Sequence, residues 1–162
     1  MRLLKHLFAP SAARLFPEPL LRRIAAAIAA SELRHTGEIC FAVEPALHPR
    51  AVWAGRQARA AAMDAFAQLR VWDTRANNGV LLYLLLADHR IEIVADRGFE
   101  GRVSAEQWRG VCQLVEERLR LGDAEAAVLG GIEALSALLA EHYPRADGDQ
   151  DVNELPDLPR IL

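Results

Sequence analysis

Polar residues that could bind a cation flank two apolar segments in the middle of the chain. Asn78 and Gly79 come directly before the apolar residues 80–87, and Asp96 directly follows residues 91–95. If the two segments are adjacent antiparallel strands joined by a tight turn, their outer ends lie at the same end of a sheet. Carboxylate and amide oxygens are ligands for hard cations such as calcium, which usually take six or more oxygens. The spacing therefore indicates a candidate cation site at this end of the sheet.

Other polar residues are predicted to lie at the same end. A strand predicted at residues 38–44 would begin there if it runs parallel to residues 80–87. Ser104 followed by Gln107 is typical of a helix capping box, and free N–H groups at a helix N-terminus favour an anion. The residues predicted for this rim are His35, Asn78 and Arg97, together with three candidate cation ligands, Glu38, Asp96 and Glu100. Turn formation by Asn-Gly and pairing of neighbouring charges explain the same residues without any ligand.

Combinations of side chains typical of catalysis are scarce. At the other predicted end of the sheet, His89 beside Asp88 has the composition of a general base, but a two-residue solvated turn explains both residues as well. No serine lies in a nucleophile-elbow motif. Cys40 and Cys112 lie in apolar segments without C-x-x-C spacing, which predicts buried thiols in a reducing compartment. The sequence therefore does not indicate an assembled catalytic centre.

The elements that would position these residues follow from hydrophobic periodicity and from turn residues. Strands are predicted at residues 38–44, 80–87 and 91–95, and helices at residues 19–33, 50–69, 105–121 and 124–142. A strand–helix–strand order implies a right-handed parallel crossover between the first two strands, and a short turn makes the third strand antiparallel. The helices are numerous enough to cover both faces of the sheet. We therefore predict an α/β fold, a three-layer α/β/α sandwich with a small mixed sheet.

Composition and charge limit the classes of partner. The 162 residues suit one domain, and a net charge of −3 with a pI near 6.0 disfavours nucleic acid as a partner. Residues 1–34 carry six basic and two acidic side chains, whereas residues 141–162 carry six acidic and two basic ones. We predict a basic amphipathic helical segment at 1–34 packed on the domain, the domain itself at 35–144, and an acidic irregular tail at 145–162. No apolar run is long enough to span a bilayer, so a cytoplasmic location is expected.

Several short motifs resemble the TPM domain family, which includes thylakoid lumen and membrane-linked bacterial proteins. They are Asn-Gly-Val-Leu-Leu at 78–82, Arg90 after the turn and Gly-Phe-Glu-Gly at 98–101, and the match extends over about residues 31–143. Asn-Glu-Leu-Pro-Asp at 153–157 is similar to the soluble bacterial branch of that family. The resemblance implies an α/β domain from a family linked to acid phosphatase activity, to divalent cations such as calcium, and to accessory roles beside membrane complexes.

Two positions depart from the family pattern. The pattern has an aspartate where this chain has Asn77, and another where it has Ala105. Fewer carboxylates attract a divalent ion less strongly, so we expect millimolar affinity for calcium or none. The favoured function is a TPM-like binding or accessory module without strong catalytic activity, with a protein partner that the sequence does not identify. The alternative is a weak divalent-metal-dependent hydrolase similar to an acid phosphatase.

The N-terminal residues combine an apolar face with positive charge. Four apolar residues share one side of a predicted helix beside Lys5, namely Leu3, Leu4, Leu7 and Phe8. Such a segment either docks on its own domain or makes peripheral contact with an anionic membrane through residues 1–16. We favour docking, because Pro10 interrupts the helix and few charges contribute to membrane attraction.

Overall fold

The structure, a computed structural model, describes residues 1–148 and 152–162. Its α-helices are α1 (Arg2–Leu7), α2 (Ala12–Leu15), α3 (Glu18–Glu32), α4 (Pro49–Trp53), α5 (Ala58–Gln68), α6 (Ala105–Arg120) and α7 (Ala124–His142). Its strands are β1 (Glu38–Glu44), β2 (Gly79–Leu85), β3 (Arg90–Ala95) and β4 (Arg160–Ile161). Short 3-10 turns at Leu86–Asp88 and Arg97–Phe99 follow β2 and β3. Among the helices of the described residues, none is both long and apolar enough to cross a bilayer.

The strands form one mixed sheet in the order β3-β2-β1-β4. β1 and β2 are parallel, with Glu38 opposite Gly79 at one end and Glu44 opposite Leu85 at the other. β3 returns antiparallel to β2, and β4 pairs in parallel with β1. The predicted parallel pair and the predicted hairpin are therefore confirmed, and the fold is α/β.

Two hydrophobic cores lie on opposite faces of this sheet. Successive residues of a strand point to opposite faces, so Phe41 and Leu82 pack with residues of α3, α6 and α7. Leu81 and Tyr83 pack with residues of α4 and α5 on the other face. Both faces of β2 are covered, which explains why its sequence is apolar without alternation. The helices thus form the outer layers of the predicted three-layer sandwich.

The single helix predicted at residues 50–69 is wrong, because two helices occupy this region. α4 ends at Trp53 and α5 begins at Ala58, with Gly55 between them at φ +77°. A glycine in this left-handed conformation commonly ends a helix, since other residues reach the conformation at a steric cost. β2 is also shorter at its end than predicted, because the chain turns at Leu86–Asp88.

The C-terminal residues include an element that the prediction of an irregular tail omits. Arg160–Ile161 forms β4 beside β1. Leu155 is buried in the core on the α5 side of the sheet, and its N–H donates to Glu38 Oε2 at 3.2 Å. The tail therefore runs along the edge of β1, while residues 149–151, in its acidic middle, lie outside the described residues.

The N-terminal segment packs on the domain with a different face from the one predicted. Phe16 is buried in the core on the α7 side, and α1 contacts both α4 and the turn after β2. Leu4 and Leu7 are each 54% exposed and Phe8 is 81% exposed. The prediction that these apolar side chains dock α1 on the domain is therefore wrong, because polar contacts hold the helix instead.

Candidate functional site

The N-terminal ends of β1 and β2 and the C-terminal end of β3 form one rim of the sheet. Glu38 opens β1 opposite Gly79, and the N–H of Asp96 donates to the carbonyl oxygen of Gly79 at 2.9 Å. Asn78 precedes Gly79, and its Nδ2 donates to the carbonyl oxygen of Thr36 at 2.6 Å. We call this group, Glu38, Asn78 and Asp96, the Asn78 rim.

The backbone explains why an asparagine and a glycine stand beside this rim. Asn77 has φ +52°, a left-handed conformation that asparagine tolerates better than most residues. Its carbonyl oxygen accepts a hydrogen bond from Gly98 N–H at 2.9 Å, and its Oδ1 accepts one from Arg97 Nε at 3.0 Å. A Cβ on Gly98 would overlap the Asn77 carbonyl oxygen. Arg97 therefore stabilises the turn before β2, and this contact gives the residue a structural role.

The chain itself engages two of the three predicted cation ligands. Glu38 is buried and accepts the Leu155 N–H at 3.2 Å. Asp96 Oδ1 accepts the N–H of Arg97 at 2.7 Å and thereby caps the short turn after β3. Glu100 is exposed just beyond that turn. Glu38 and Asp96 therefore contribute to the fold whether or not a cation binds.

Two buried oxygens of the Asn78 rim have no hydrogen-bond partner among the described residues, Asn78 Oδ1 and Asp96 Oδ2. Oxygens of this kind suit a hard cation, although a calcium site would need several more from backbone carbonyls or water. In residues 1–148 and 152–162, no group of three or more histidine, cysteine, aspartate or glutamate side chains is placed to share a metal ion. The described residues therefore do not assemble the set of ligands that a calcium ion takes.

His35 is buried beneath the rim rather than exposed on it. The residue has no accessible surface, and neither ring nitrogen has a hydrogen-bond partner among the described residues. Burial lowers the pKa of His35 to about 4, with the Gly37 backbone opposing the shift and two nearby arginines assisting it. The imidazole is therefore neutral at physiological pH, and it contributes to packing.

At the opposite rim, Asp88 holds the N-terminal helix. Its carboxylate accepts hydrogen bonds from Arg2 Nη2 at 2.7 Å and from Arg2 Nε at 3.1 Å. His6 Nε2 lies 3.1 Å from the same carboxylate, and His6 Nδ1 accepts the Leu47 N–H at 3.0 Å, so Nε2 carries the proton that Asp88 accepts. Burial opposes ionisation of Asp88, but hydrogen bonding to Arg2 and its charge hold the Asp88 pKa below its ordinary value.

This contact corrects the interpretation of Asp88 and His89 as a solvated two-residue turn. Leu86–Asp88 forms a 3-10 turn, the Asp88 side chain is 12% exposed, and His89 follows at φ +52°. Sequence periodicity could not reveal the contact, because Arg2 and Asp88 lie 86 positions apart. Asp88 is bound to Arg2 and His6 and is not paired with His89 as a general base would require.

A cleft of about 450 Å³, lined by both apolar and charged side chains, lies beside the C-terminal end of β1, and sequence reasoning missed it. Arg56 pairs with Asp64 in this cleft, and the buried Tyr83 hydroxyl donates to Glu44. The charged groups therefore largely satisfy one another. The cleft lies beyond the carboxyl ends of two parallel strands, which is the usual position of ligand sites in α/β folds. The predicted parallel pair of strands could therefore have indicated this position from the sequence.

The two cysteines are not activated nucleophiles. Cys40 is buried in β1, Cys112 is partly buried on α6, and both are free thiols. Burial raises the pKa of each thiol to about 11. Both side chains are therefore protonated at neutral pH and lack the thiolate that nucleophilic chemistry needs.

Comparisons with known proteins agree with this architecture. A family profile described as the TPM domain matches residues 12–138, from α2 into α7. Among solved structures, the chain is similar to the NMR structure of the BA42 protein from the psychrophilic bacterium Bizionia argentinensis. The two share 26% identity with a TM-score of 0.76, over 88% of this chain and 92% of BA42. No curated protein matches the chain.

Proposed function

Because this chain belongs to the TPM domain family, we propose that it is a binding or accessory module without strong catalytic activity of its own. The observation that carries this proposal is the engagement of Glu38, which accepts the Leu155 N–H from the chain's own tail. Asp96 and Asp88 likewise accept hydrogen bonds from neighbouring parts of the domain. Carboxylates with such structural partners are poorly suited to exchange protons or ligands during turnover.

We also propose a cytoplasmic location. The thiols of Cys40 and Cys112 are free and largely withdrawn from solvent. Unpaired cysteines are typical of proteins that work in reducing compartments, where disulfides do not persist.

A phosphatase assay tests the module proposal. Purified protein is incubated with p-nitrophenyl phosphate, alone and with calcium, magnesium or manganese, and we expect no turnover above the protein-free blank. The matched pair of variants is Asp96→Ala, at the Asn78 rim, and Asp147→Ala, at an exposed aspartate in the tail. Metal-dependent turnover that Asp96→Ala abolishes and Asp147→Ala retains would overturn the proposal.

The second candidate is a weak divalent-metal-dependent hydrolase similar to an acid phosphatase. Asn78 Oδ1 and Asp96 Oδ2 favour it, because both are buried oxygens without a partner among the described residues. A bound divalent cation would supply Lewis-acid stabilisation of a phosphoryl oxygen. Against it stand Asn77 and Ala105, at positions where the family pattern has carboxylates.

A further inference from the structure

The first helix presents an apolar face to solvent, and polar contacts fix it in that orientation. Arg2 and His6 lie one turn apart on α1, and both bind Asp88. Four apolar side chains lie on the remaining face, at 38%, 54%, 54% and 81% exposure, namely Leu3, Leu4, Leu7 and Phe8. The contacts of Arg2 and His6 with Asp88 thus orient the helix so that its apolar side chains face solvent, although the hydrophobic effect favours their burial.

The exposed apolar surface continues beyond α1. Pro10 and Leu15 line a small apolar cleft of about 140 Å³ together with Leu119 of α6 and Ala124 of α7. Leu121, in the turn between these two helices, is 84% exposed. We call the exposed apolar residues Leu3, Leu4, Leu7 and Phe8, together with Pro10 and Leu15 at the cleft, the α1 face.

Positive charges without acidic partners lie on the N-terminal segment and on α4. Lys5, Arg14 and Arg50 are exposed, and none has an ion-pair partner among residues 1–148 and 152–162. Arg50 belongs to α4, which packs against α1. Two acids near these elements have partners of their own, since Asp88 binds Arg2 and Asp123 caps α7. An apolar protrusion flanked by free cations is complementary to a surface that is apolar inside and anionic outside.

Resting on the proposed accessory role, we propose that the α1 face docks on an anionic lipid bilayer, with Leu4 and Phe8 inserted at the interface and Lys5 and Arg14 against the headgroups. Anionic lipid is abundant in the cytoplasmic leaflet, where basic residues beside an apolar helix add attraction. A second copy of the chain fits less well, because a two-fold contact through this face would bring Lys5 and Arg14 against their own symmetry copies. The apolar residues also protrude rather than line a deep groove for a partner helix.

Vesicle sedimentation of the full chain tests this proposal. The vesicles are phosphatidylcholine alone or phosphatidylcholine with phosphatidylserine, at physiological salt. We expect the chain to pellet with the anionic vesicles only. The double variant Leu4→Ser/Phe8→Ser should bind these vesicles at least about tenfold more weakly than the unaltered chain. These side chains are exposed, so the variants should fold, and circular dichroism verifies it. Deleting residues 1–16 is less informative, because it also removes the buried Phe16.

Two further variants separate apolar insertion from charge. Leu33→Ser alters a leucine that is 66% exposed just after α3, outside the α1 face, and should bind like the unaltered chain. Lys5→Glu/Arg14→Glu should bind about tenfold more weakly while retaining the fold. A chain that stays in solution, pellets equally with neutral vesicles, or loses binding equally with Leu33→Ser would overturn the proposal. If light scattering shows a dimer and Leu4→Ser/Phe8→Ser is monomeric, the α1 face binds a second copy of the chain rather than a bilayer, and the proposal is overturned.

The outcome is independent of the phosphatase assay. Absence of vesicle binding together with absence of turnover would reject the bilayer and leave the accessory role in place. Vesicle binding together with metal-dependent turnover would reject the non-catalytic role and leave the docking surface in place.

Discussion

Arg2 and Asp88 form a two-pronged ion pair across 86 positions of the chain, with Arg2 Nη2 2.7 Å from Asp88 Oδ2. The pair joins the first helix to the turn after β2, and buried His6 adds a third polar contact. Because the apolar residues of α1 face solvent, these contacts determine how the helix is held. The stability of the N-terminal segment should therefore depend on Asp88.

Replacing Asp88 with asparagine is expected to lower the free energy of unfolding by about 1–3 kcal/mol, because Arg2 and His6 lose a charged acceptor. The folded-state pKa of Asp88 lies below its ordinary value of 3.8, so the contribution of this carboxylate is present at neutral pH and is lost as the pH falls through the folded pKa. Urea titrations of both proteins at about pH 7 and about pH 3 measure the difference.

The control for this prediction is Glu133→Gln, which removes the exposed ion pair with Arg34. Exposed pairs contribute about 0–1 kcal/mol, so this variant should unfold nearly as the unaltered chain does. If Asp88→Asn is no more destabilising than Glu133→Gln at neutral pH, the Arg2–Asp88 contact does not hold α1.

His35 should make the fold less stable in mild acid. Its folded pKa of about 4 lies below the ordinary value of 6.5, so the unfolded chain binds the proton more readily between these values. Stability contributed by neutral His35 is therefore complete above about pH 6.5 and is lost as the pH falls toward about 4, by up to about 3 kcal/mol. Urea titrations from about pH 7.5 to about pH 4.5 should show a smaller decline for His35→Leu. The control is His48→Asn, at an exposed histidine, and its free energy of unfolding should fall with pH as that of the unaltered chain does. An NMR titration that gives His35 a pKa near 6.5 would refute the prediction.

Gly79 is required by the close approach of two backbones. A Cβ at this position would overlap the carbonyl oxygen of Val71, which leaves no room for alanine without moving the chain before β2. Gly79→Ala is expected to cost about 2–4 kcal/mol or to prevent folding. Gly110→Ala is the matched control on α6, where a Cβ meets nothing within 4 Å, and should stabilise the helix by about 0.5–1 kcal/mol. Thermal unfolding compares them, and equal melting temperatures would contradict the steric argument.

Local signals predicted most of the scaffold. The uninterrupted apolar residues of β2 indicated a strand covered on both faces, and the cap of α6 by Ser104 and Gln107 is observed in both directions. Each signal lies within a few residues of the feature it predicts, which is why sequence reasoning recovered these features.

The missed features depend on contacts between distant parts of the chain. β4 has two residues, too few for any periodicity, and it exists because β1 offers an edge. The outward face of α1 follows from Asp88, whose role no local pattern near Arg2 reveals. The same limit applied at the Asn78 rim, where the sequence placed Glu38 among cation ligands but could not show that Leu155 N–H already binds it.

Restoring carboxylates should strengthen calcium binding at the Asn78 rim. Asn78 Oδ1 and Asp96 Oδ2 supply two buried oxygens without partners among the described residues, fewer than a calcium ion takes. The double variant Asn77→Asp/Ala105→Asp adds negative charge where the family pattern has it, and affinity should rise about tenfold from a millimolar or undetectable level. Calcium titrations followed by amide chemical shifts measure both proteins. The control Ala60→Asp adds one negative charge in the first turn of α5 and should leave calcium binding unchanged. Tight, saturable shifts at Asp96 and Glu100 in the unaltered chain would show that its own oxygens already suffice.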